Sequence, residues 1–316
     1  MEKDTLNKLV VEIGKNKGGQ VQYAWLFSLI IGAAIIFLAV FAASKFSKTG
    51  GVQSQAELVR QFDILLNPFV GVGSETSISL SKVVEMPNEV QISFTCNSGE
   101  GFNEVNIRER KGKGYGDWLD NGYRIRDKYI FSENLSGKNF YVFSKPFEVP
   151  WKVDDLIYIT SRTYCFDSPP EEVEREVKSL RTNAAVVKDS RGCPDGSITV
   201  CFEKSGCDVN VKYDSGVLSK KGKSVLFSNN AMMYAGIFSD AETYKCGFER
   251  LNSRLKVQAK INLGQALLLE SKGCDTDGLQ ISLNTMLKAL GSGSINGIKN
   301  IAGEVEDRNP KECPVF

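Results

Sequence analysis

A group of basic and aromatic side chains in the first half of the chain has the residue types of a binding surface. Four cations are followed closely by a tyrosine and a tryptophan: Arg108, Arg110, Lys111, Lys113, Tyr115 and Trp118. Cations interleaved with aromatic rings can hold single-stranded nucleic acid or anionic glycans. Glycines alternate with the same residues, however, and a charge run is usually a solvated face, so the pattern favours the exposed end of a β-hairpin. If the β-rich part of the chain has a binding surface, the sequence predicts it at this hairpin.

Three carboxylates have the residue types needed for glycoside hydrolysis, which uses a facing pair of Asp or Glu side chains. They are Glu148, Asp154 and Asp155. Adjacent residues of a strand point to opposite faces of a sheet, so Asp154 and Asp155 cannot face each other. The chain also contains no histidine, which excludes Ser-His-Asp triads, Cys-His pairs and histidine-ligated metals. We therefore predict a protein that is not an enzyme and has no catalytic residues, no cofactor and no metal.

Two loops resemble ligand-binding motifs but lack essential positions. The sequence Asp-Thr-Asp-Gly at 275–278 resembles the start of a calcium loop, yet no ligand follows at the later positions of an EF-hand. The glycine- and serine-rich run at 291–297 resembles a phosphate loop, but it follows a predicted helix and lacks the terminal Lys-Ser/Thr. We interpret the first as a helix-capping turn and the second as a helix end with a flexible link.

The cysteines have the number and distribution of a disulfide framework. There are eight: Cys96, Cys165, Cys193, Cys201, Cys207, Cys246, Cys274 and Cys313. Their number is even and none forms a CxxC pair, so zinc ribbons and thioredoxin-like sites are disfavoured. Scattered cysteines of this kind indicate disulfides formed in an oxidising compartment. Buried free thiols in a cytosolic domain are the alternative, and the sequence leaves the pairing open.

An uncharged apolar run near the N-terminus predicts a transmembrane helix. Residues 24–43 carry no charge, and Ser28 is their single polar side chain. At about 1.5 Å per residue, the run is as long as the hydrocarbon core is thick. We expect a short cytoplasmic leader over 1–22 and a single-pass helix over 23–44 that contacts the lipid bilayer through 24–43. All cysteines follow this run, so we place the C-terminal ectodomain outside the cytoplasm.

The residues before the apolar run resemble the leader of archaeal type IV pilin-like proteins. The stretch is Lys-Gly-Gly-Gln-Val-Gln-Tyr-Ala-Trp at 17–25. In that family a charged leader ends in Lys/Arg-Gly, and a membrane peptidase cuts before the glutamine that begins the hydrophobic helix. The resemblance implies cleavage between Gly19 and Gln20, although Ala24 stands where the family commonly has an acidic residue. A basic juxtamembrane stretch is the alternative interpretation.

Two further stretches are similar to uncharacterised single-pass surface proteins of archaea with small genomes. They are Phe-Ser-Lys-Pro-Phe-Glu-Val-Pro-Trp at 143–151 and Met-Met-Tyr-Ala-Gly-Ile-Phe-Ser-Asp-Ala-Glu-Thr-Tyr-Lys-Cys at 232–246. This resemblance implies a location at the cell surface and no known chemistry.

The predicted secondary structure that would position these residues changes from mostly strands to mixed helices and strands along the chain. Together these elements predict an α+β fold class. Apolar residues at helical spacing over 52–66 predict an amphipathic stalk helix within 45–75, suited to docking on the ectodomain or to contact with neighbouring subunits. Alternating and β-branched runs predict a mostly antiparallel β-rich domain over 76–166. Helical patterns mixed with short strands predict a disulfide-stapled α/β, Cys-rich domain over 167–316.

Three helices are predicted in this C-terminal domain. Ser168 and Ser239 each begin a capping-box pattern, because a carboxylate follows three positions later. The second of these helices is expected to run on to Leu269 and to end before Gly273. A third is expected over about 279–290, where apolar residues recur at helical spacing.

The expected function is binding or structural and lies outside the cytoplasm. The net charge is +1, from 39 Lys and Arg against 38 Asp and Glu, so no long-range field attracts a polyanion and nucleic acid is not an expected partner. We predict a membrane-anchored, single-pass surface protein of adhesion or surface assembly, with other surface proteins or copies of itself as partners. The alternatives are a membrane-tethered envelope enzyme that uses carboxylates, a pilin-like filament subunit, and an inward-facing scaffold with reduced cysteines.

Overall fold

The computed structural model describes most of the chain from residue 57 onward and a short part before it. The described residues are 31–33, 35–38, 57–67, 80–118, 122–180, 182–188, 192–292 and 295–316. Contacts group the chain into two units, Met1–Ser54 and Gln55–Phe316. In the first unit the described residues are helical (α1, 31–33 and 35–38), and their large hydrophobic side chains are exposed. All other elements described below belong to the second unit.

The N-terminal part of the predicted fold class, a transmembrane helix over 23–44, is wrong. Crossing a bilayer takes about 20 helical residues, and α1 as described is far shorter. Among the described residues, no helix is both long enough and apolar enough to cross a membrane. The leader at 1–22 and most of the predicted lipid contact through 24–43 lie outside the described residues. The observed fold is α+β with four disulfide bonds.

The first sheet is seven-stranded and mostly antiparallel. Its strands are β1 (Leu80–Asn97), β2 (Phe102–Lys111), β3 (Gly114–Tyr115), β4 (Tyr123–Ile125), β5 (Tyr129–Phe131), β6 (Leu135–Glu148) and β7 (Lys152–Thr160). Their order is β3-β2-β1-β6-β7-β5, with β4 beside β2. The strands pair antiparallel, apart from β5, which runs parallel to β7. The alternating pattern over 76–166 thus corresponds to a sheet, while the boundaries of that domain stay a prediction.

Helix α2 (57–66) covers one face of the first sheet. Three fully buried side chains of α2 pack against apolar side chains of the strands: Val59, Phe62 and Leu66. Lys128, which is 1% exposed, pairs with Asp63 of α2 at 2.6 Å. The described part of the predicted stalk helix therefore docks on its own chain. The first part of the predicted amphipathic helix, 52–56, lies outside the described residues.

The second sheet is six-stranded and mixed. Its strands are β8 (Tyr164–Asp167), β9 (Ala185–Val187), β10 (Ile198–Phe202), β11 (Val209–Lys212), β12 (Val217–Lys220) and β13 (Lys223–Leu226), in the order β13-β12-β11-β10-β8-β9. The four strands from β8 to β11 run parallel to one another, and β12 and β13 complete the sheet antiparallel. The chain crosses from β8 to β9 through helix α3 (Glu171–Ser179). Strand β8 therefore has β9 on one side and β10 on the other.

Four helices complete the fold: α4 (Asn230–Phe238), α5 (Ala241–Glu270), α6 (Asp277–Ser292) and α7 (Ile295–Asp307). All residues of α4 are buried, and the helix contacts β6 and β7 of the first sheet and β12 of the second. Helix α4 is therefore the layer between the sheets. Sequence analysis does not predict it, because a helix that is apolar on all sides shows no amphipathic stripe. Helices α5 and α6 match predicted helices, whereas α7 was not predicted.

The predicted capping boxes are wrong in detail. Helix α3 is capped at Pro170 without a side-chain hydrogen bond, and the Ser168 hydroxyl bonds to Asp167 and Lys204 instead. Helix α5 begins after Asp240, whose carboxylate accepts a hydrogen bond from the Thr243 amide at 2.8 Å. Ser239 instead ends α4.

Helix α5 lies close to the first sheet at Gly247, where an added Cβ would lie 2.6 Å from the Phe131 ring. We therefore expect Gly247→Ala to lower the free energy of unfolding by about 1–3 kcal/mol through overpacking. At Gly264 of the same helix, a Cβ would meet no atom of the described residues within 4 Å. Gly264→Ala should raise stability by up to about 1 kcal/mol, because alanine favours helices. Urea unfolding of both variants is the measurement, and equal effects would contradict the close approach.

All eight cysteines form disulfide bonds, which confirms the predicted framework. The pairs are Cys96–Cys246, Cys165–Cys193, Cys201–Cys207 and Cys274–Cys313. No cysteine is free, so the alternative of buried free thiols is wrong. The first pair joins β1 to α5 over a sequence separation of 150 residues, whereas the third closes a loop of only 6.

A half-buried carboxylate also joins the two sheets. Glu133, between β5 and β6, pairs with Lys220 at 3.0 Å, with Lys221 at 2.9 Å and with Arg162 at 3.0 Å. Burial opposes ionisation of Glu133, but hydrogen bonds and charge from Lys221 and Lys220 outweigh it and lower its pKa to about 2. Glu133 is therefore ionised at neutral pH and holds β12 against the first sheet.

Candidate functional site

The structure brings three residues of the predicted binding surface together at the hairpin of β2 and β3. The Arg108 guanidinium lies 4.1 Å from the centroid of the Trp118 ring and 5.6 Å from that of the Tyr115 ring. Both distances are within the range of cation–π attraction. Arg108 also donates two hydrogen bonds to Gln91 of β1, at 2.6 and 2.8 Å. The arginine is therefore held in place by two rings and a neighbouring strand.

One of the four cations of this basic and aromatic surface is balanced by a neighbouring carboxylate. Arg110 forms an ion pair with Glu89, and hydrogen bonds from Tyr115 and then Arg110 lower the pKa of the Glu89 carboxyl. Lys111 and Lys113 are exposed at the turn, without an ion pair to any described residue. The residues thus lie at the exposed end of a hairpin, and a binding role for them stays a prediction.

The aspartates considered for glycoside hydrolysis each face a cation. Asp154 pairs with Arg254 at 3.0 Å, and burial raises its pKa. Asp155, which is 2% exposed, pairs with Lys152 at 2.8 Å. The structure therefore does not arrange Asp154 and Asp155 as two carboxylates that flank a substrate.

The remaining sequence motifs do not form a site within the described residues. No group of three metal-ligating side chains is close enough to hold an ion in that part of the chain. The Asp-Thr-Asp-Gly turn at 275–278 leads into α6. The run at 291–297 falls at the junction of α6 and α7, partly outside the described residues. The predicted cleavage position between Gly19 and Gln20 also lies outside them.

A polar cleft of about 420 Å³ opens between the two sheets. The side chains that give it its chemistry are Lys145, Glu148, Glu172, Tyr213, Asn229 and Asn230. The first sheet supplies two of them from the end of β6, and the N-terminus of α4 supplies the two asparagines. The cleft therefore lies where three layers of the fold meet.

The second sheet gives the cleft its position. Tyr213 directly follows β11, and Glu172 lies in the first turn of α3, just after β8. Both residues thus come from the carboxyl ends of parallel strands. Ligands of open α/β sheets bind outside these ends, between two neighbouring strands whose onward connections lead in opposite directions. Strands β8 and β10 are such neighbours, because β8 leads to β9 on one side and β10 leads to β11 on the other.

A buried network lies behind Lys145. The Lys145 Nζ is 2.5 Å from Glu176 Oε1, and the Tyr234 hydroxyl donates to Glu176 Oε2 at 2.7 Å. Lys145 and Glu176 are each 7% exposed, and Tyr234 is 1% exposed. Burial and the Glu176 charge raise the pKa of Tyr234 well above its usual value. The network therefore contains an ion pair and a neutral phenol, contributed by β6, α3 and α4.

The wall of the cleft is also fixed by hydrogen bonds. The Tyr213 hydroxyl donates to Asn230 Oδ1 at 2.8 Å and lies 3.5 Å from Glu172. Burial, followed by the Glu172 charge, raises the pKa of Tyr213. Asn230 is 8% exposed, and its side-chain oxygen is held by the hydrogen bond from Tyr213. The Asn230 side chain therefore has a fixed orientation at the wall of the cleft.

Sequence reasoning missed this site, although two residues carried a signal. Lys145 shares the inward face of β6 with Phe143 and Phe147, so its charge interrupts an apolar alternation. Glu176 likewise lies beside Val173 and Val177 on the buried stripe of α3. A charge at an inward position is seldom tolerated unless it is paired. Each signal is local, and the sequence does not say which residues would meet.

Comparison of the chain with protein-family models, with curated proteins and with solved structures gives no match. The proposals below therefore depend on the geometry of the chain itself.

Proposed function

We propose that this protein is an extracytoplasmic binding protein that holds a small polar ligand in the polar cleft. The observation that carries the proposal is the buried network of Lys145, Glu176 and Tyr234 behind an open cleft. Burying a charged group costs free energy. Buried ionisable groups with strongly perturbed properties cluster at functional sites. The four disulfide bonds support the location, because disulfides persist in oxidising compartments.

The size and rigidity of the cleft suit this role. Its volume of about 420 Å³ falls within the range of small-molecule sites. The polar groups that line it are held by their own partners: Lys145 by Glu176, Asn230 by Tyr213, and Asn229 by the Met232 amide. Side chains that are already ordered lose little entropy when a ligand binds.

Two other roles stay predictions. An envelope enzyme would need a pair of cooperating carboxylates, and the aspartates Asp154 and Asp155 are each tied to a cation. Adhesion or surface assembly would use an exposed surface, for which the basic and aromatic hairpin is the predicted place. Turnover of a glycan or peptide by the purified protein would favour the enzyme.

We expect a polar ligand that binds the cleft to raise the thermal midpoint of the full chain. A ligand present at about 100 times its dissociation constant adds roughly 2.7 kcal/mol to the free energy of unfolding. The measurement is a thermal-shift screen with neutral sugars, amino acids, dicarboxylates and diamines. Ser215→Trp should abolish the shift, because Ser215 is an exposed residue at the cleft and the larger side chain would fill it.

Ser224→Trp is the matched control, since Ser224 is exposed on β13 and does not line the cleft. It should leave the shift unchanged. A screen without any stabilising compound, or shifts that Ser215→Trp does not reduce, would contradict the proposed function.

A further inference from the structure

We propose that two copies of this chain associate through the solvent-facing side of helix α5, as a two-fold symmetric dimer with the two helices antiparallel. Exposed large hydrophobic side chains are concentrated on α5 and on α6, which packs against it. They are Val257, Ile261, Leu267, Leu268 and Ile281. These five make up half of the ten such residues in the described part of the second unit. Concentrations of exposed apolar side chains mark interaction surfaces.

Four residues of α5 form a stripe with symmetric spacing. Ile261 and Gly264 lie three positions apart at its centre, and one further residue, Val257 or Leu268, lies four positions beyond each of them. Residues three and four apart share one face of a helix, and all four are exposed. Two antiparallel copies of α5 would place Val257 of one against Leu268 of the other. Two-fold interfaces use the same patch on both copies, and a stripe with symmetric spacing meets this requirement.

The centre of the stripe also matches itself in shape. A Cβ at Gly264 would meet no atom of the described residues within 4 Å, so the surface of the helix has a gap there. In the antiparallel arrangement Ile261, which is 55% exposed, lies opposite the gap of the second copy. Helices pack when the side chains of one enter the gaps between those of the other. The second copy therefore supplies the side chain that fills the gap.

Charges near the stripe are separated along the helix. Lys256 and Lys260 lie in its middle, whereas three carboxylates follow in the last turn and at the start of α6: Glu270, Asp275 and Asp277. A hydrogen bond to Glu270 and the charge of that residue raise the pKa of the Asp277 carboxyl. Lys272 is the one cation among these carboxylates. Antiparallel docking brings the lysines of one copy towards the carboxylates of the other, which is the complementarity that interfaces use.

The same separation of charge disfavours a lipid surface as the partner. A helix that lies on a membrane has cations along its polar face, where they contact anionic lipids. Glu270 and Asp277 would be repelled by those lipids. A second copy therefore matches this side of α5 better than a membrane does.

Sedimentation velocity of the full chain over a range of concentrations measures the association. We expect Ile261→Glu to raise the dissociation constant of the dimer at least about hundredfold, because the substitution occurs twice in the interface and each copy contributes roughly tenfold. Ile64→Glu is the matched control, since Ile64 is 51% exposed and lies on α2. It should leave the dimer intact. A chain that is monomeric at every concentration, or equal effects of the two variants, would overturn the proposal.

Oxidative crosslinking tests the direction of the two helices. Positions 257 and 268 are roughly 16 Å apart along one helix, so cysteines placed there can join only between copies. Val257→Cys with Leu268→Cys should form a covalent dimer, because the native cysteines are all paired already. Val257→Cys alone should not, because antiparallel helices keep the two copies of this position apart. Crosslinking of the single variant, or none of the double variant, would contradict the antiparallel arrangement.

Discussion

Glu176→Gln is expected to lower the free energy of unfolding by about 3–5 kcal/mol, which is a large share of the stability of a typical domain. The substitution keeps the shape of the side chain but takes from Lys145 the carboxylate with which it pairs at 2.5 Å. Lys145 is only 7% exposed, although it borders the cleft, so water can replace that carboxylate only in part. Chemical unfolding followed by circular dichroism measures the change.

Glu174→Gln is the matched control. Glu174 lies in the same helix and pairs with Lys178 one turn later, but this pair is exposed to solvent. Exposed ion pairs contribute little, so the change should stay below about 1 kcal/mol. Replacing all three buried groups together, as Lys145→Met, Glu176→Leu and Tyr234→Phe, should recover most of the lost stability, because no buried charge would remain. Equal effects of the two glutamine variants would contradict the buried network.

Removing the disulfide between Cys96 and Cys246 is expected to have the other large effect. The double variant Cys96→Ser with Cys246→Ser should lose about 5 kcal/mol, since the bond closes a separation of 150 residues in the unfolded chain. Cys96 is on β1 and Cys246 on α5, so the folded protein would also lose a link between sheet and helix. The measurement is the denaturant midpoint of the oxidised double variant.

Cys201→Ser with Cys207→Ser provides the comparison. This bond spans only 6 residues, and the same loop-closure argument gives a loss of about 2 kcal/mol. A smaller loss for the long loop than for the short one would show that chain entropy is not the main contribution of the first bond.

Local features of the fold could be predicted from the sequence because they depend on neighbours along the chain. The strands around Val90 and Ile107 have alternating burial, and the turn at Gly112 forms a hairpin as its glycines suggest. The number and spacing of the cysteines indicated disulfides. Their pairing could not be predicted, because Cys96 reaches a partner that lies beyond four other cysteines of the chain.

The features that were missed depend on tertiary contacts. Helix α4 is buried on all sides, so residues 230–238 have no polar face to reveal their period. The candidate site depends on Glu176 meeting Lys145 and Tyr234, which lie 31 and 58 positions away along the chain. The apolar run at 24–43 led to an error in the fold class, because the sequence rule counts apolar residues, whereas the described helix there is short.

The order of the disulfides has a consequence for how the protein is made. A chain that is exported from its N-terminus presents Cys96 first, and the next cysteine to arrive is Cys165. Oxidation in order of arrival would join these two, whereas the native partners are Cys246 and Cys193. The thiol of Cys96 must therefore stay unpaired until α5 has been exported, or an incorrect disulfide bond must be exchanged later. Correct biogenesis is thus expected to depend on a disulfide isomerase in the compartment where the protein folds.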